Sequence, residues 1–226
     1  MRVILGERWA WARHTPAAGG RPAARGSGKG RSTVRTFLWS GLRLVLLMTV
    51  ILGLGYNAAM TGVARLAFPY QAAGSLVVRH GAVVGSRLIG QQFTAPQFFQ
   101  GRPSATTPPY NAASSGATNY GPTNPALIKE VKTNLAAVQK ANPGVASTAV
   151  PPDLVESSAS GLDPDISPAA ALLQVPRVAA ANHLSTRVVR QLVQSHIRGR
   201  FLGLYGSPHV NVLELNLALQ ALGGKG

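Results

Sequence analysis

The chain contains no cysteine and only seven acidic residues among its 226 residues. Without cysteine, neither a disulfide framework nor a thiolate metal site can form. The 22 Lys and Arg residues leave a formal charge of +15, with nine of them in residues 1–43 and 13 in the remainder. A charge of this sign can attract nucleic acid or the surface of an anionic membrane.

The sequence patterns of common catalytic sites are missing as well. No serine lies in a Gly-x-Ser-x-Gly elbow, and no glycine-rich loop ends in Lys-Ser or Lys-Thr. The histidines lack the spacing of metal ligands; they are His14, His80, His183, His196 and His209. These absences argue against a zinc site, an intrinsic nucleotide site of this class and a membrane-anchored hydrolase, so we expect no catalytic residues and no directly bound cofactor or metal.

One uncharged, mostly apolar run is long enough to cross a membrane, and it covers Leu44 to Ala64. Its 21 residues meet the requirement of about 20 for a spanning helix. Positive residues tend to stay in the cytoplasm, and within about 20 residues of the run five precede it and two follow it. We expect a single-pass protein of the cell (inner) membrane with a cytoplasmic N-terminus. A cleaved signal peptide is the alternative, although its apolar core is usually only about 7–15 residues long.

The basic extension of residues 1–33 is rich in Gly, Ala, Arg and Pro and has no hydrophobic period. We predict that it is disordered, and Val34 is a candidate for the true start of the protein. The extension lacks the interleaved aromatics of a nucleic-acid-binding helix. Orientation of the span and attraction to anionic lipid explain its charge more simply. The predicted divisions are the extension 1–33, the span with its flanks 34–69, and a domain 70–226.

The predicted span carries small residues where partner helices could pack. Gly55 and Ala59 are four residues apart, as are Ala58 and Gly62, and small residues at this spacing let another backbone come close. Asn57 is polar at membrane depth and would prefer a hydrogen-bonding partner. These five residues are candidate partner contacts. The alternative is that Gly and Ala are simply frequent in membrane helices.

The remainder predicts a compact α+β extracytoplasmic domain with little strand. A hairpin is expected between Ser75 and Leu88, turning at His80-Gly81. Helices are predicted after Asn124-Pro125, over 169–172, over 177–181, after Ser185, and over 210–222. The last segment also alternates leucines as a strand does, but Asn211 followed by Glu214 resembles a capping box, so we favour a helix.

A long polar segment runs from Gly101 to Asn124 with no period and almost no charge. Segments longer than about 12–15 residues in a compact domain are usually functional or disordered. Tyr110 and Tyr120 could anchor it, so we favour an ordered binding loop over a floppy one. Its candidate partner contacts are Arg102, Tyr110, Asn111 and Asn119.

Four of the acids that follow the span lie within 13 residues of one another. They are Asp153, Glu156, Asp163 and Asp165. Carboxylates grouped on an otherwise basic domain create a local negative field that can raise the nearby concentration of cations. We treat them as candidate cation-attracting acids, while an ordinary solvated loop is the commoner explanation for such a segment.

Several short motifs behind the span, taken in order, point to one family. They are Gly85-Ser-Arg-Leu-Ile-Gly-Gln91, Gly101-Arg-Pro-Ser-Ala105, Tyr110-Asn-Ala-Ala-Ser-Ser-Gly116 with Gly121-Pro-Thr-Asn-Pro-Ala-Leu127, Ser158-Ala-Ser-Gly-Leu-Asp-Pro164 with Ile166-Ser-Pro-Ala-Ala170, Gln174-Val-Pro-Arg-Val178, and Val210-Asn-Val-Leu-Glu-Leu-Asn-Leu217. From about Val34 to Leu222 the chain resembles the C subunit of the bacterial Kdp potassium-transporting P-type ATPase.

The resemblance implies a helper subunit of a pump. In that family a channel-like subunit binds and conducts potassium, a P-type subunit hydrolyses ATP, and a small single-span subunit completes the complex. ATP and K⁺ would thus belong to the complex rather than to this chain. The implied role is support of assembly, together with a catalytic-chaperone effect that raises the ATP or potassium affinity of the partners. The alternative is a membrane-anchored extracytoplasmic binding or scaffold domain unrelated to transport.

Overall fold

The computed structural model describes residues 30–223. The chain forms two compact units that divide between Ala59 and Met60. The prediction of disorder for residues 1–29 lies outside the described residues. Residues 30–33, which were assigned to the same extension, belong to the first helix.

A long apolar helix forms the N-terminal part of the described chain. It consists of α1 (Gly30–Met48), a wider-turned π-helical segment (Thr49–Tyr56) and α2 (Asn57–Ala67). The 35 residues from Thr33 to Ala67 are long and apolar enough to cross a membrane. At about 1.5 Å per residue they reach about 50 Å, which exceeds the hydrocarbon core of about 30 Å. The predicted run of Leu44–Ala64 is therefore part of a longer helix, which extends mainly on the N-terminal side of the run.

A β-hairpin follows the long helix and a short helix α3 (Pro69–Ala72). Strands β1 (Leu76–Arg79) and β2 (Ala82–Ser86) pair antiparallel, as the sequence predicted. His80 and Gly81 both have positive φ, at 51° and 79°. Two-residue turns of this kind match the twist of the strands, and glycine adopts the conformation without steric cost.

The rest of the domain consists of four helices and a second two-stranded sheet. The helices are α4 (Pro125–Ala141), α5 (Pro168–Ala181), α6 (Thr186–Ser195) and α7 (Val212–Gly223). Short 3-10 turns cover Ala112–Ser114, Ser147–Ala149 and Pro152–Leu154. Strand β3 (Asp165–Ile166) pairs antiparallel with β4 (Val210–Asn211).

Side-chain caps begin α4, α5 and α6, and those of α4 and α6 lie where the sequence predicted them. Asn124 accepts a hydrogen bond from Ala126 N–H at 2.9 Å, and Ser167 and Ser185 cap α5 and α6 in the same way. The helix chosen over 210–222 is confirmed from Val212 onward, after the two residues of β4. Asn211 Oδ1 accepts from the N–H of Glu214 at 3.2 Å, which is one half of the predicted capping box.

The prediction of two short helices at 169–172 and 177–181 is wrong, because α5 runs unbroken through Pro176. A proline inside a helix lacks a donor and costs about 3 kcal/mol. Here Pro176 lies on the exposed side, while Val175 and Val178 on the same helix are fully buried. Burial of the inner face of α5 outweighs the local cost.

The core lies where α5, α6 and α7 pack with the β3–β4 pair. Its fully buried side chains include Ala170, Ala171, Val175, Val178, Val189, Val193, Val210 and Leu215. Two buried amides complete it. Asn216 accepts from Phe99 N–H at 2.8 Å and donates to its carbonyl at 2.9 Å, and Gln174 pairs with the backbone of Gln100 at 2.8 and 3.1 Å. These amides fix the backbone immediately before the polar loop that begins at Gly101.

Candidate partner-docking site

Hydroxyl groups hold the first half of the polar loop against a distant segment. Ser104 Oγ donates to the carbonyl of Gly161 at 2.7 Å and accepts from the N–H of Tyr110 at 2.9 Å. Thr106 Oγ1 donates to the carbonyl of Pro108 at 2.9 Å and accepts from the N–H of Asn111 at 3.0 Å. The loop thus acquires a defined shape without helix or strand pairing.

Tyr110 is the internal anchor of this loop. Its hydroxyl donates to the carbonyl of Arg102 at 2.6 Å, and its ring lies against two glycines. A Cβ at Gly90 would lie 2.5 Å from Tyr110 Cε1, and one at Gly101 would lie 2.8 Å from the hydroxyl. Burial first, and the charge of Asp163 second, raises the pKa of Tyr110 to about 12. The phenol therefore stays protonated and keeps donating at physiological pH.

Arg102 joins the loop to the acidic segment. Its Nη1 lies 3.2 Å from Asp163 Oδ2, and its Nη2 donates to the carbonyls of Glu156 and Ser157, each at 3.4 Å. Within residues 30–223, Arg102 Nε is the buried side-chain nitrogen that lacks a hydrogen-bond partner. The side chain thus bridges two segments, and the predicted partner contact has an internal role.

The second half of the loop is the more exposed part. Asn111 Oδ1 accepts from the N–H of Ala113 at 3.1 Å and so caps a 3-10 turn. Asn119 is exposed with φ of 52°, and Tyr120 is 42% exposed. Tyr120, the second predicted anchor, is thus more exposed than Tyr110. Asn119, Tyr120, Leu127 and residues 156–159 are among those lining an open depression of about 380 Å³.

Three of the four acidic side chains, those of Asp153, Asp163 and Asp165, accept hydrogen bonds within the domain. Both oxygens of Asp153 accept from Ser167, from its N–H at 2.6 Å and its hydroxyl at 3.1 Å, so they reinforce the start of α5. Asp163 pairs with Arg102 and accepts from the N–H of Asp165 at 3.1 Å. Glu156 is exposed and lines the depression next to Tyr120.

Asp153, Asp163 and Asp165 line one open cavity of about 410 Å³, together with Arg102 and His209. Asp165 accepts from Asn211 Nδ2 at 2.9 Å, and its other oxygen lies 3.8 Å from His209 Nε2. Burial raises the pKa of Asp165, and the hydrogen bond from Asn211 opposes that effect. No group of three or more His, Cys, Asp or Glu among the described residues could hold a metal ion.

The candidate contacts in the apolar helix are open. All five residues are exposed, namely Gly55, Asn57, Ala58, Ala59 and Gly62. Asn57 Nδ2 donates to the carbonyl of Gly53 one turn earlier, so its polar group finds its partner within the helix. A Cβ added at Gly62 would meet nothing within 4 Å.

Sequence reasoning missed two further features of the surface. A tight turn at Phe201–Tyr205, hereafter the apolar tip, exposes four large apolar side chains. Glu214 pairs with both Arg87 and Arg198, and so ties the end of β2 to the base of this tip. The apolar residues between Gly199 and Gly206 were the available signal, but they follow neither a helical nor a strand period.

Among the described residues, one exposed apolar helix is long enough to span a membrane and is followed by an α+β domain, which is the arrangement of a membrane-associated protein. The sequence model of the family described as KdpC, the c chain of the K⁺-transporting ATPase, matches residues 38–221. The chain belongs to this family.

Curated relatives agree over most of their length. The potassium-transporting ATPase KdpC subunit of Methylobacterium nodulans is 55% identical over 196 residues, which cover 81% of this chain and 96% of the relative. The same subunit of Caldanaerobacter subterraneus subsp. tengcongensis is 54% identical over 178 residues (79% and 91%). That of Dechloromonas aromatica is 50% identical over 190 residues (84% and 99%). The similarity thus covers the apolar helix and the domain alike.

Proposed function

We propose that this chain is the accessory C subunit of an ATP-driven, high-affinity potassium uptake pump. The family match over residues 38–221 carries the proposal, because it includes both the apolar helix and the α+β domain. The chain supports assembly of the complex and raises the ATP or potassium affinity of the partner subunits. Hydrolysis takes place on a partner, which agrees with the lack of catalytic motifs in the sequence.

The domain works on the outer side of the membrane. The excess of basic residues before the apolar run supports this orientation, since five precede it and two follow it within about 20 residues. ATP is on the opposite side of the bilayer, so the domain acts on hydrolysis indirectly. It does so by contacting one conformation of the pump better than another, which shifts the balance between them.

The polar loop is the docking surface for the channel-like subunit, over its potassium entrance. The hydrogen bonds of Ser104 and the anchor Tyr110 give the loop its shape before binding. A preformed loop loses less conformational entropy on docking than a floppy one. Asn119 and Tyr120, on the exposed half, provide a polar and an aromatic contact. In the apolar helix, Ala58 and Gly62 allow close approach of a partner helix.

Removal of the domain tests this proposal. A chain cut after Phe68 keeps the apolar helix and loses the polar loop. In a complex that still assembles, we expect the apparent potassium affinity to weaken, measured as potassium-stimulated ATP hydrolysis. Unchanged affinity in an assembled complex would contradict docking over the entrance. Asn119→Ala with Tyr120→Ala should weaken affinity in the same direction, whereas Thr148→Ala, on an exposed turn elsewhere in the domain, should not.

A further inference from the structure

The apolar tip presents hydrophobic side chains in a region that contributes nothing to the core. Phe201 and Tyr205 pair through their backbones at 2.9 and 3.0 Å, and the turn between them contains Leu202 and Gly203 at positive φ. Phe201, Leu202, Leu204 and Tyr205 are 68 to 75% exposed. A soluble surface seldom groups side chains of this size without a partner.

Positive charge surrounds the base of the tip. Arg198 and Arg87 share the single carboxylate of Glu214. Arg200 adds a third guanidinium. Among residues 30–223, this group makes no ion pair and no side-chain hydrogen bond. Aromatic and aliphatic side chains next to arginine are the composition found where proteins meet the headgroup region of a membrane.

The base of the tip is tied to the beginning of the domain. Glu214 links Arg198 to Arg87, and the N–H of Arg87 donates to the carbonyl of Ser75 at 3.1 Å. Ser75 follows Ala67, the last residue of the apolar helix, by only eight residues. Eight residues reach at most about 26–29 Å. The chain therefore limits how far Ser75, and Arg87 bonded to it, can lie from the end of the apolar helix.

Other exposed hydrophobic residues gather in the same part of the chain. Among the described residues from Leu66 onward, seven exposed large hydrophobics lie between positions 66 and 88, four lie in the tip, and four lie elsewhere. The first group comprises Leu66, Phe68, Tyr70, Leu76, Val78, Val83 and Leu88. The exposed apolar surface of the domain is thus concentrated in the two segments that Arg87 and Glu214 connect.

We propose that the apolar tip is a second membrane contact, which inserts into the headgroup region of a bilayer that contains anionic phospholipid. Leu202 and its apolar neighbours enter the boundary with the acyl chains, and Arg200 meets the phosphates. The inference requires that the apolar helix spans the bilayer, but it is independent of the pump role. One helix alone lets the domain rotate about the membrane normal, and a second contact restricts that rotation.

The lack of native cysteine permits a direct test on the full chain. Leu202→Cys is labelled with an environment-sensitive fluorophore in nanodiscs of phosphatidylcholine, with and without phosphatidylglycerol. Lipid carrying a doxyl group on its acyl chain and aqueous iodide serve as the two quenchers. We expect quenching of the label by the lipid, shielding from iodide, and a stronger effect in the anionic discs. The matched control, Thr148→Cys on the exposed turn Ser147–Ala149, should behave in the opposite way.

Two further outcomes would overturn the proposal. A label at position 202 that iodide reaches freely and that lipid does not quench would show that the tip stays in water. Shielding that arises only when the large membrane subunits of a pump are added would assign the tip to a protein partner. Arg200→Glu supplies the test of charge: it should reduce lipid quenching in the anionic discs and leave the zwitterionic discs little changed. No change in the anionic discs would refute the role of Arg200.

Discussion

The core around α5–α7 and the polar loop of residues 101–124 are held by different forces. The core buries aliphatic side chains such as Val178, Val193 and Leu215 completely. The loop contributes Thr106 as its one buried side chain and is held by hydroxyl, phenol and guanidinium hydrogen bonds. Apolar burial is non-directional, whereas hydrogen bonds are directional. We infer that the core supplies stability and that the loop supplies a defined surface.

Truncation in the core should have the largest effect. Leu215 is fully buried, and Leu215→Ala should lower the free energy of unfolding by about 2–5 kcal/mol because a cavity remains. Chemical denaturation of the full chain in detergent measures this loss of unfolding free energy. The matched control is Leu222→Ala, at a residue that is 37% exposed near the end of the same helix, which should cost well under half as much. Equal losses would show that α7 is not packed as described.

An overpacking change at Gly90, which lies against the loop residue Tyr110, should have the next largest effect. In Gly90→Ala the new methyl group would lie 2.5 Å from the Tyr110 ring and 2.6 Å from the carbonyl of Asp163. We expect a loss of about 1–3 kcal/mol in unfolding free energy because the anchor must move. Gly121→Ala, where nothing lies within 4 Å, is the control. A neutral Gly90→Ala would mean that Tyr110 does not occupy this position.

Loss of the Ser104 hydroxyl should disturb the loop more than the core. Ser104→Ala leaves the N–H of Tyr110 and the carbonyl of Gly161 without this partner, at a cost of about 1–3 kcal/mol, toward the lower end because the site is part-buried. Hydrogen exchange should rise at Tyr110 and stay unchanged at Val193 in the core. The exposed Ser147→Ala serves as control. A uniform rise across the domain would contradict the separation of loop from core.

Substitution of Asp165 should have the smallest effect, which is a change in how the unfolding free energy depends on pH. Burial raises the pKa of Asp165 in the folded state. The contribution of Asp165 to the free energy of unfolding is therefore fully present below the unfolded pKa of about 3.9 and is lost as pH rises through the folded pKa. Asp165→Asn keeps an oxygen for Asn211 and removes that loss. We expect the unfolding free energy of Asp165→Asn, relative to that of the native chain, to increase as pH rises above about 4. The control Thr148→Ala, at an exposed residue that does not titrate, should show no such trend.

Much of the fold was predictable because its signals are local. The apolar run, the His80-Gly81 turn and the caps Asn124 and Ser185 each lie within a few residues of the structure that they determine. The continuity of α5 was not predictable from the sequence. The cost of Pro176 is local, whereas the compensating burial comes from packing against α6 and α7. How much of a helix face becomes buried depends on the elements that pack against it, and a single sequence does not specify those elements.

The candidate site was predicted less completely, for the same reason. The polar loop and the acidic segment were both singled out, but their connection through Arg102 and Asp163 spans 61 residues. Tyr110 and Arg102 were expected to face a partner, and the structure gives them internal hydrogen bonds. The apolar tip was missed because five residues are too few for a period to emerge.

Potassium-stimulated ATP hydrolysis at limiting ATP tests the central claim most directly. It should be measured on a complex of the channel-like and hydrolytic subunits, with and without this chain. The proposed accessory role predicts that adding the full chain raises the activity and lowers the ATP concentration needed for half of it. The chain cut after Phe68 should restore only part of this effect. Equal activity and equal ATP dependence in the presence and absence of the chain would contradict an accessory role in the pump.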